Sequence, residues 1–179
     1  YLNLIFYFSF KNMKKADIWI SAVLYMALGV VILTIILAAG VPVINKIRDK
    51  NIAIDTKEVM FTLDKNIRTV FSEGPGSRRP LTLEIKKGSF EVDDPNDLIK
   101  WDFESKVLLS EKDIEIKEGT LVMWTNQSSQ EGKYITNLML NYSGILDLSL
   151  EQPNLAVLTG TNDIILTNIG DGKILITSI

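Results

Sequence analysis

One uncharged stretch near the N-terminus constrains this chain more than any other feature. It runs from Ile18 to Val43 as IWISAVLYMALGVVILTIILAAGVPV, without any Asp, Glu, Lys or Arg. Because a helix rises about 1.5 Å per residue, roughly 20 apolar residues cross a hydrocarbon core of about 30 Å. The stretch also exceeds the apolar region of about 7–15 residues in an ordinary secretory signal. We therefore expect one helix that spans a lipid bilayer.

The composition narrows the function classes that remain. The chain has 179 residues and a formal net charge of −3, so no large basic field favours nucleic acid. It contains no cysteine and no histidine, which excludes disulfides, thiol nucleophiles, Ser-His-Asp triads and Cys/His zinc sites. No two carboxylates have a spacing typical of an acid–base pair. We predict that the protein is not an enzyme and needs no metal ion or cofactor.

The chain divides into three predicted regions. Residues 1–16 form a leader, in which the first methionine is Met13, so that residues 1–12 could lie upstream of the true start. Residues 17–72 form one helix. After the uncharged stretch, its apolar residues recur at spacings of three and four, which indicates an amphipathic helix packed on its own head domain. The helix cannot continue through Gly74-Pro75-Gly76.

The third region, residues 81–179, changes to a period of two. Apolar and polar residues alternate in short segments such as Ile99–Glu104, which is typical of half-buried strands. Turn signals separate these segments, among them Lys87-Gly88 and Gly170-Asp171-Gly172, the latter joining the last two strands as a hairpin. We predict an α+β fold: a long hydrophobic and amphipathic N-terminal helix followed by an antiparallel β-sandwich-like head, or a strongly curved meander.

Two groups of head residues allow both a structural and a functional interpretation. Asp93-Asp94-Pro95-Asn96-Asp97 gathers oxygen ligands of the kind that calcium prefers, but its spacing differs from that of an EF-hand loop. An Asx turn between two strands explains the same residues, and we predict that turn. Trp101 and Trp124 lie on predicted strands, and we favour core positions over ligand platforms for both.

Two sequons offer acceptors for N-glycosylation if the head lies outside the cell. Asn126-Gln127-Ser128 begins in a predicted polar loop, so Asn126 is the better acceptor. Asn141-Tyr142-Ser143 begins at the end of a predicted strand, which makes Asn141 the weaker candidate.

The segment Lys14-Lys15-Ala16-Asp17-Ile18, with the uncharged stretch that follows, resembles the class III signal peptide of archaeal type IV pilin-like proteins. In that family a prepilin peptidase cuts after a short cationic leader that ends in Gly or Ala, and it leaves the hydrophobic helix attached. The resemblance implies that Lys14 and Lys15 are the leader charges, that Ala16 precedes the cut, and that Asp17 is the mature N-terminus.

The resemblance also implies a structural function. The subunit would be processed by the peptidase and would assemble with other pilin-like subunits into a surface filament or pseudopilus. Ser21 stands where bacterial-type pilins carry a Glu, which archaeal-type pilins often lack. Close packing between helices would use the small residues of the uncharged stretch, which are Ala22, Ala27, Gly29, Ala38, Ala39 and Gly40.

A second interpretation keeps the anchor but not the filament. The chain would then be a non-polymerising, single-pass surface protein that carries a β-sandwich binding module. In both interpretations the protein is inserted in the cell membrane by a single pass, and in the first it can also be part of a cell-surface filament. The lysines before the uncharged stretch favour an N-terminus inside the cell, which places the head outside.

Overall fold

The computed structural model describes the backbone of residues 2–178 and the side chains of residues 18–153 and 155–178. Within this part, one long helix precedes eight strands, so the α+β class is confirmed. Helix α1 (Leu2–Glu73) ends one residue beyond the predicted position. Gly74 follows it with a φ of +89°, a conformation that glycine adopts without steric cost and that commonly ends helices.

The strands of the head form one sheet. They are β1 (Arg78–Asp93), β2 (Leu98–Ser105), β3 (Ile116–Glu118), β4 (Leu121–Gln127), β5 (Tyr134–Asn141), β6 (Asp147–Leu150), β7 (Val157–Gly170) and β8 (Lys173–Ser178). Their order in the sheet is β3-β4-β5-β2-β1-β7-β8-β6. Among the strands described, neighbours pair in antiparallel fashion except for β6 and β8, which are parallel. The head is mostly antiparallel, as predicted, but its second layer is helix rather than another sheet.

Residues 46–73 of α1 form that second layer. Met60, Leu63, Ile67 and Val70 have no solvent exposure and belong to the same core cluster as the inner face of the sheet. Their spacings of three and four confirm the predicted amphipathic helix, and each such side chain stabilises the head by roughly 1.5–3 kcal/mol through burial. Tyr142, which directly follows β5, also belongs to this core, and the largest buried residues of the sheet itself are Leu83, Phe90, Ile99, Trp101, Phe103, Leu121, Leu138 and Leu140.

The two predicted turns named above have different outcomes. Gly170-Asp171-Gly172 joins β7 and β8 as the expected hairpin. Lys87-Gly88, in contrast, lies inside β1, where the register of β1 against β7 shifts as in a bulge. Gly88 has a φ of +84°, and a Cβ there would lie 1.8 Å from the carbonyl oxygen of Asp102. The glycine therefore permits a close approach of two strands rather than a reversal of the chain.

Candidate membrane anchor and head surfaces

The uncharged residues 18–43 form the candidate membrane anchor. They lie in the first of two compact units, residues 1–45, and the head with its helical layer forms the second, residues 46–179. Large apolar side chains are exposed throughout the anchor, with Trp19 and Tyr25 each 75% exposed and Ile35 63%. The helix is long and apolar enough to cross a membrane. A continuous apolar surface of this kind marks a segment that contacts lipid or another protein.

The small residues proposed for helix packing all lie in this anchor. Ala22, Ala27, Ala38 and Ala39 are exposed along with the large residues around them. A Cβ added at Gly29 or Gly40 would meet no described atom within 4 Å. Contacts within the described chain therefore give no reason for glycine at these two positions.

The predicted processing site lies outside the residues whose side chains are described. This applies to Lys14, Lys15, Ala16 and Asp17. Their assignment as leader charges, cleavage position and mature N-terminus stays a prediction.

Asp49 is the first of three polar residues that fasten the helical layer to the sheet. The residue is buried, and its side chain is 9% exposed. Its carboxylate accepts hydrogen bonds from the Lys87 ammonium at 2.9 Å, the Lys106 backbone N–H at 2.8 Å and the Ser105 hydroxyl at 3.2 Å. Burial raises the pKa of Asp49, but these three donors outweigh that effect and hold the pKa below its usual value. The carboxylate is thus bound in its charged form.

Asp64, the residue after Leu63 of the apolar stripe, makes the second polar contact. It accepts hydrogen bonds from the Tyr142 hydroxyl at 2.9 Å, the Thr120 hydroxyl at 2.9 Å and the Arg68 Nε at 3.0 Å. Tyr142 has no solvent exposure. Burial, together with the nearby Asp64 charge, raises the pKa of Tyr142 well above its usual value, so this phenol stays a donor.

Asn168 makes the third contact, at the end of the helix. Its amide nitrogen donates to the carbonyl oxygens of Val70 and Phe71, both at 3.2 Å, and its amide oxygen accepts from the Gly170 N–H at 2.9 Å. The last carbonyl groups of a helix have no N–H partner within the helix, and the side-chain amide of Asn168 supplies a donor for two of them. None of these three contacts could be predicted from the sequence, because each joins residues far apart in the chain.

The acidic segment after β1 is a turn, as predicted. A short 3-10 helix covers Asp94–Asn96, and Asp97 follows with a φ of +56°. The Asp93 carboxylate accepts from Asn96 at 2.8 Å and from Lys100 at 2.9 Å, and that of Asp97 accepts from the Leu148 N–H at 2.9 Å. The hydrogen bonds from Lys100 and Asn96 lower the pKa of Asp93. Among the described residues, no cluster of acidic side chains is arranged to hold a metal ion.

The two sequons differ in their local structure. Asn126 is exposed, but it lies inside β4, so its predicted position in a loop is wrong. Asn141 is also exposed, at the end of β5 as expected, and its side-chain oxygen accepts a hydrogen bond from the Ser143 N–H at 2.9 Å. Glycosylation at either residue stays a prediction.

The two head tryptophans lie on opposite faces of the sheet. Trp101 is 1% exposed, packs edge-on against Phe90 at 6.0 Å between ring centroids, and donates its indole N–H to the Lys87 carbonyl at 3.0 Å. Its predicted core position is confirmed. In β4, Leu121 and Thr125 are buried, so the alternation of side chains places Trp124 on the outer face, where it is half-buried. The core prediction is wrong for Trp124.

The described side chains also form a shallow groove between α1 and β1. Asp55 and Glu58 line it on the helical side, and Thr82 and Lys86 on the strand side. Lys86 donates to Asp55 at 2.9 Å, and Thr82 donates to Asp163 at 2.6 Å. Of the polar side chains that line the groove, Lys86 and Asp55 thus bond to each other, and Thr82 bonds to Asp163 outside it.

Comparisons with known proteins gave no match to a family model, a curated protein or a solved structure.

Proposed function

We propose that this protein is a pilin-like structural subunit. An uncharged helical segment would hold it in the membrane, a prepilin peptidase would remove its leader, and the helix would then pack with those of other subunits in a surface filament or pseudopilus. The observation that carries the proposal is that two parts of α1 have different surroundings. Residues 18–43 are exposed and apolar, whereas residues 46–73 are the core layer of the head.

Several features of the chain support assembly through the anchor. Residues 18–43 carry no charge, so the segment can move from lipid into an apolar bundle without burying an unpaired ion. Small residues permit the close helix approach that stabilises such bundles. The glycines at 29 and 40 meet this need, and no contact within the described chain requires them. Head-to-tail contacts of one subunit type would extend the bundle into a filament.

The alternative proposal is a single-pass surface protein that does not polymerise. It is favoured by the compactness of residues 46–179, which contain the sheet and its helical layer and form their own core. A head built in this way does not need a neighbouring subunit to bury its apolar face. In this case the anchor would stay in the lipid and the leader would be retained.

Replacing the residue before the proposed cut separates these proposals. We expect Ala16→Leu to block leader removal and to leave membrane insertion intact, because a bulky side chain would not fit a peptidase site for small residues. The measurement is the mass of the protein extracted from membranes of cells that contain the peptidase. Ala22→Leu is the matched control, since it makes the same change beyond the cut and should be processed. Normal maturation of Ala16→Leu would refute the leader assignment.

A further inference from the structure

Four residues of the outer sheet face form one row across four strands. Trp124 of β4 pairs with Asn137 of β5, Asn137 pairs with Asp102 of β2, and Asp102 pairs with Ser89 of β1. Residues that pair in this way point to the same side of the sheet, here the side opposite α1. With 4.7–4.9 Å between strands, the row is roughly 14 Å long. An aromatic side chain and three polar ones, all of them half-buried, thus lie in line on the outer face of the sheet.

Several polar atoms of the row have no partner among the described residues. Asp102 accepts from the Ser89 hydroxyl at 2.9 Å through one carboxylate oxygen, and its other oxygen accepts no described hydrogen bond. Asn137 makes only a long bond of 3.4 Å through its nitrogen. The indole N–H of Trp124 has no described acceptor, unlike that of the core residue Trp101. The row therefore offers one donor and two acceptors beside an aromatic ring.

The row and its surroundings disfavour two classes of ligand. Asp102 is the one ionisable side chain of the row, and its carboxylate would repel a polyanion. Of the lysines nearby, Lys133 is bonded to Glu104 at 2.8 Å and Lys100 to Asp93 at 2.9 Å, whereas Lys117 of β3, opposite Val122, has no described carboxylate partner. The large side chains that are strongly exposed in the described head lie outside β2, β4 and β5. This part of the sheet therefore lacks the exposed apolar patch that marks a protein interface.

We propose that the row Trp124–Asn137–Asp102–Ser89 binds a neutral saccharide. A pyranose ring has an apolar face of C–H groups, which suits the indole, and hydroxyl groups around its edge, which donate and accept hydrogen bonds. Asp102 and Asn137 accept from such hydroxyls, and the indole N–H donates to one. Hydrogen bonds to the charged Asp102 are the stronger ones. A flat row on a sheet suits an extended oligosaccharide, and the proposal does not depend on filament assembly.

A glycan array tests this proposal with the full chain in detergent. The array carries neutral and acidic oligosaccharides, and the bound protein is detected by a fluorescent label. We expect binding to neutral glycans and a loss of at least about tenfold in affinity for Trp124→Ala, the factor that corresponds to 1.4 kcal/mol. Trp19→Ala, which changes a tryptophan of the anchor, is the matched control and should bind like the unchanged protein. Asn137→Ala is a second variant that should weaken binding, and its unfolding temperature should match that of the unchanged head.

Three outcomes would overturn the proposal. They are no binding to any neutral glycan, equal binding by Trp124→Ala and the unchanged protein, or binding confined to acidic glycans. Sedimentation of the same samples addresses the remaining possibility of a protein partner. If Trp124→Ala abolishes self-association and glycan binding is absent, the outer face is a contact between copies of this chain.

Discussion

At the scale of single residues, the head depends on charged and polar side chains enclosed between helix and sheet. Asp49 is the clearest case, because the residue is buried and its carboxylate has three donors. Removing one partner of a buried hydrogen-bonded group costs more than the bond itself contributes, since the other partners are left unsatisfied. The same reasoning applies to Asp64 and Asn168.

We expect Asp49→Asn to lower the free energy of unfolding at pH 7 by about 1–3 kcal/mol. The matched control is Asp55→Asn, in the same helix, where both partners of the Asp55–Lys86 pair are exposed, so that solvent screens the pair and its loss should change the free energy of unfolding much less. Urea titration of the head, followed by tryptophan fluorescence in detergent, measures both variants. Equal losses for the two variants would mean that the Asp49 contact is no more than a surface pair.

The stabilising effect of Asp49 depends on pH in a definite direction. The folded state holds the pKa of Asp49 below its unfolded value of about 3.9, so its contribution is complete above that pH and is lost as the pH falls through the folded pKa. We therefore expect the stability difference between the unchanged protein and Asp49→Asn to be constant at neutral pH and to narrow below about pH 4. A difference that widened on acidification would contradict this account.

At the scale of secondary-structure elements, residues 46–73 act as one half of the core. Leu63 has no solvent exposure, whereas Ile54, on the same helix, is 47% exposed. We expect Leu63→Ala to destabilise the head by about 2–5 kcal/mol, through lost burial and the cavity left behind. Ile54→Ala, the control, should cost under about 1 kcal/mol. Similar thermal unfolding of both variants would show that the helix does not depend on the sheet as described.

The bulge in β1 gives a second test at this scale. Gly88→Ala would combine a positive φ with a Cβ placed 1.8 Å from a backbone oxygen of β2, so we expect a loss of more than about 3 kcal/mol or failure to fold. Gly144 has a φ of +73° but open space around it, and Gly144→Ala should cost only about 1–2 kcal/mol. If both variants lost the same free energy of unfolding, the positive φ alone, and not the contact with β2, would explain why position 88 is glycine.

The elements differ in how far the sequence predicted them. The uncharged stretch, the spacing of Met60, Leu63, Ile67 and Val70, and the period of two in the head each follow from local patterns, and the structure agrees with all three. The bulge at Gly88 and the strand order of the single sheet depend on which strands pair in space. A glycine in a turn and a glycine in a bulge look the same in the sequence. The core prediction for Trp124 is wrong because alternation shows which residues of a strand share a face, but not which of the two faces packs on the core.

At the scale of the whole molecule, we propose that one helix serves two environments, lipid or other helices along one part and the head along the other. The large apolar side chains of its uncharged segment are exposed. Those of its amphipathic segment, such as Leu63, are buried against the sheet of the head. We expect Gly29→Leu to reduce the assembled fraction by about tenfold, the effect of about 1.4 kcal/mol of lost packing, while insertion is unchanged. Val30→Leu is the adjacent control, since it exchanges one large apolar residue for another. Shearing the filaments from cells and quantifying the released subunit measures both.

The most direct test of the proposed subunit is the intact mass and N-terminal residue of the protein recovered from its native membrane. The account predicts a mature chain that begins at Asp17, with the uncharged helix retained. A recovered chain that begins at Met13 or earlier would contradict processing by a prepilin peptidase, and the single-pass surface protein would then be the better explanation.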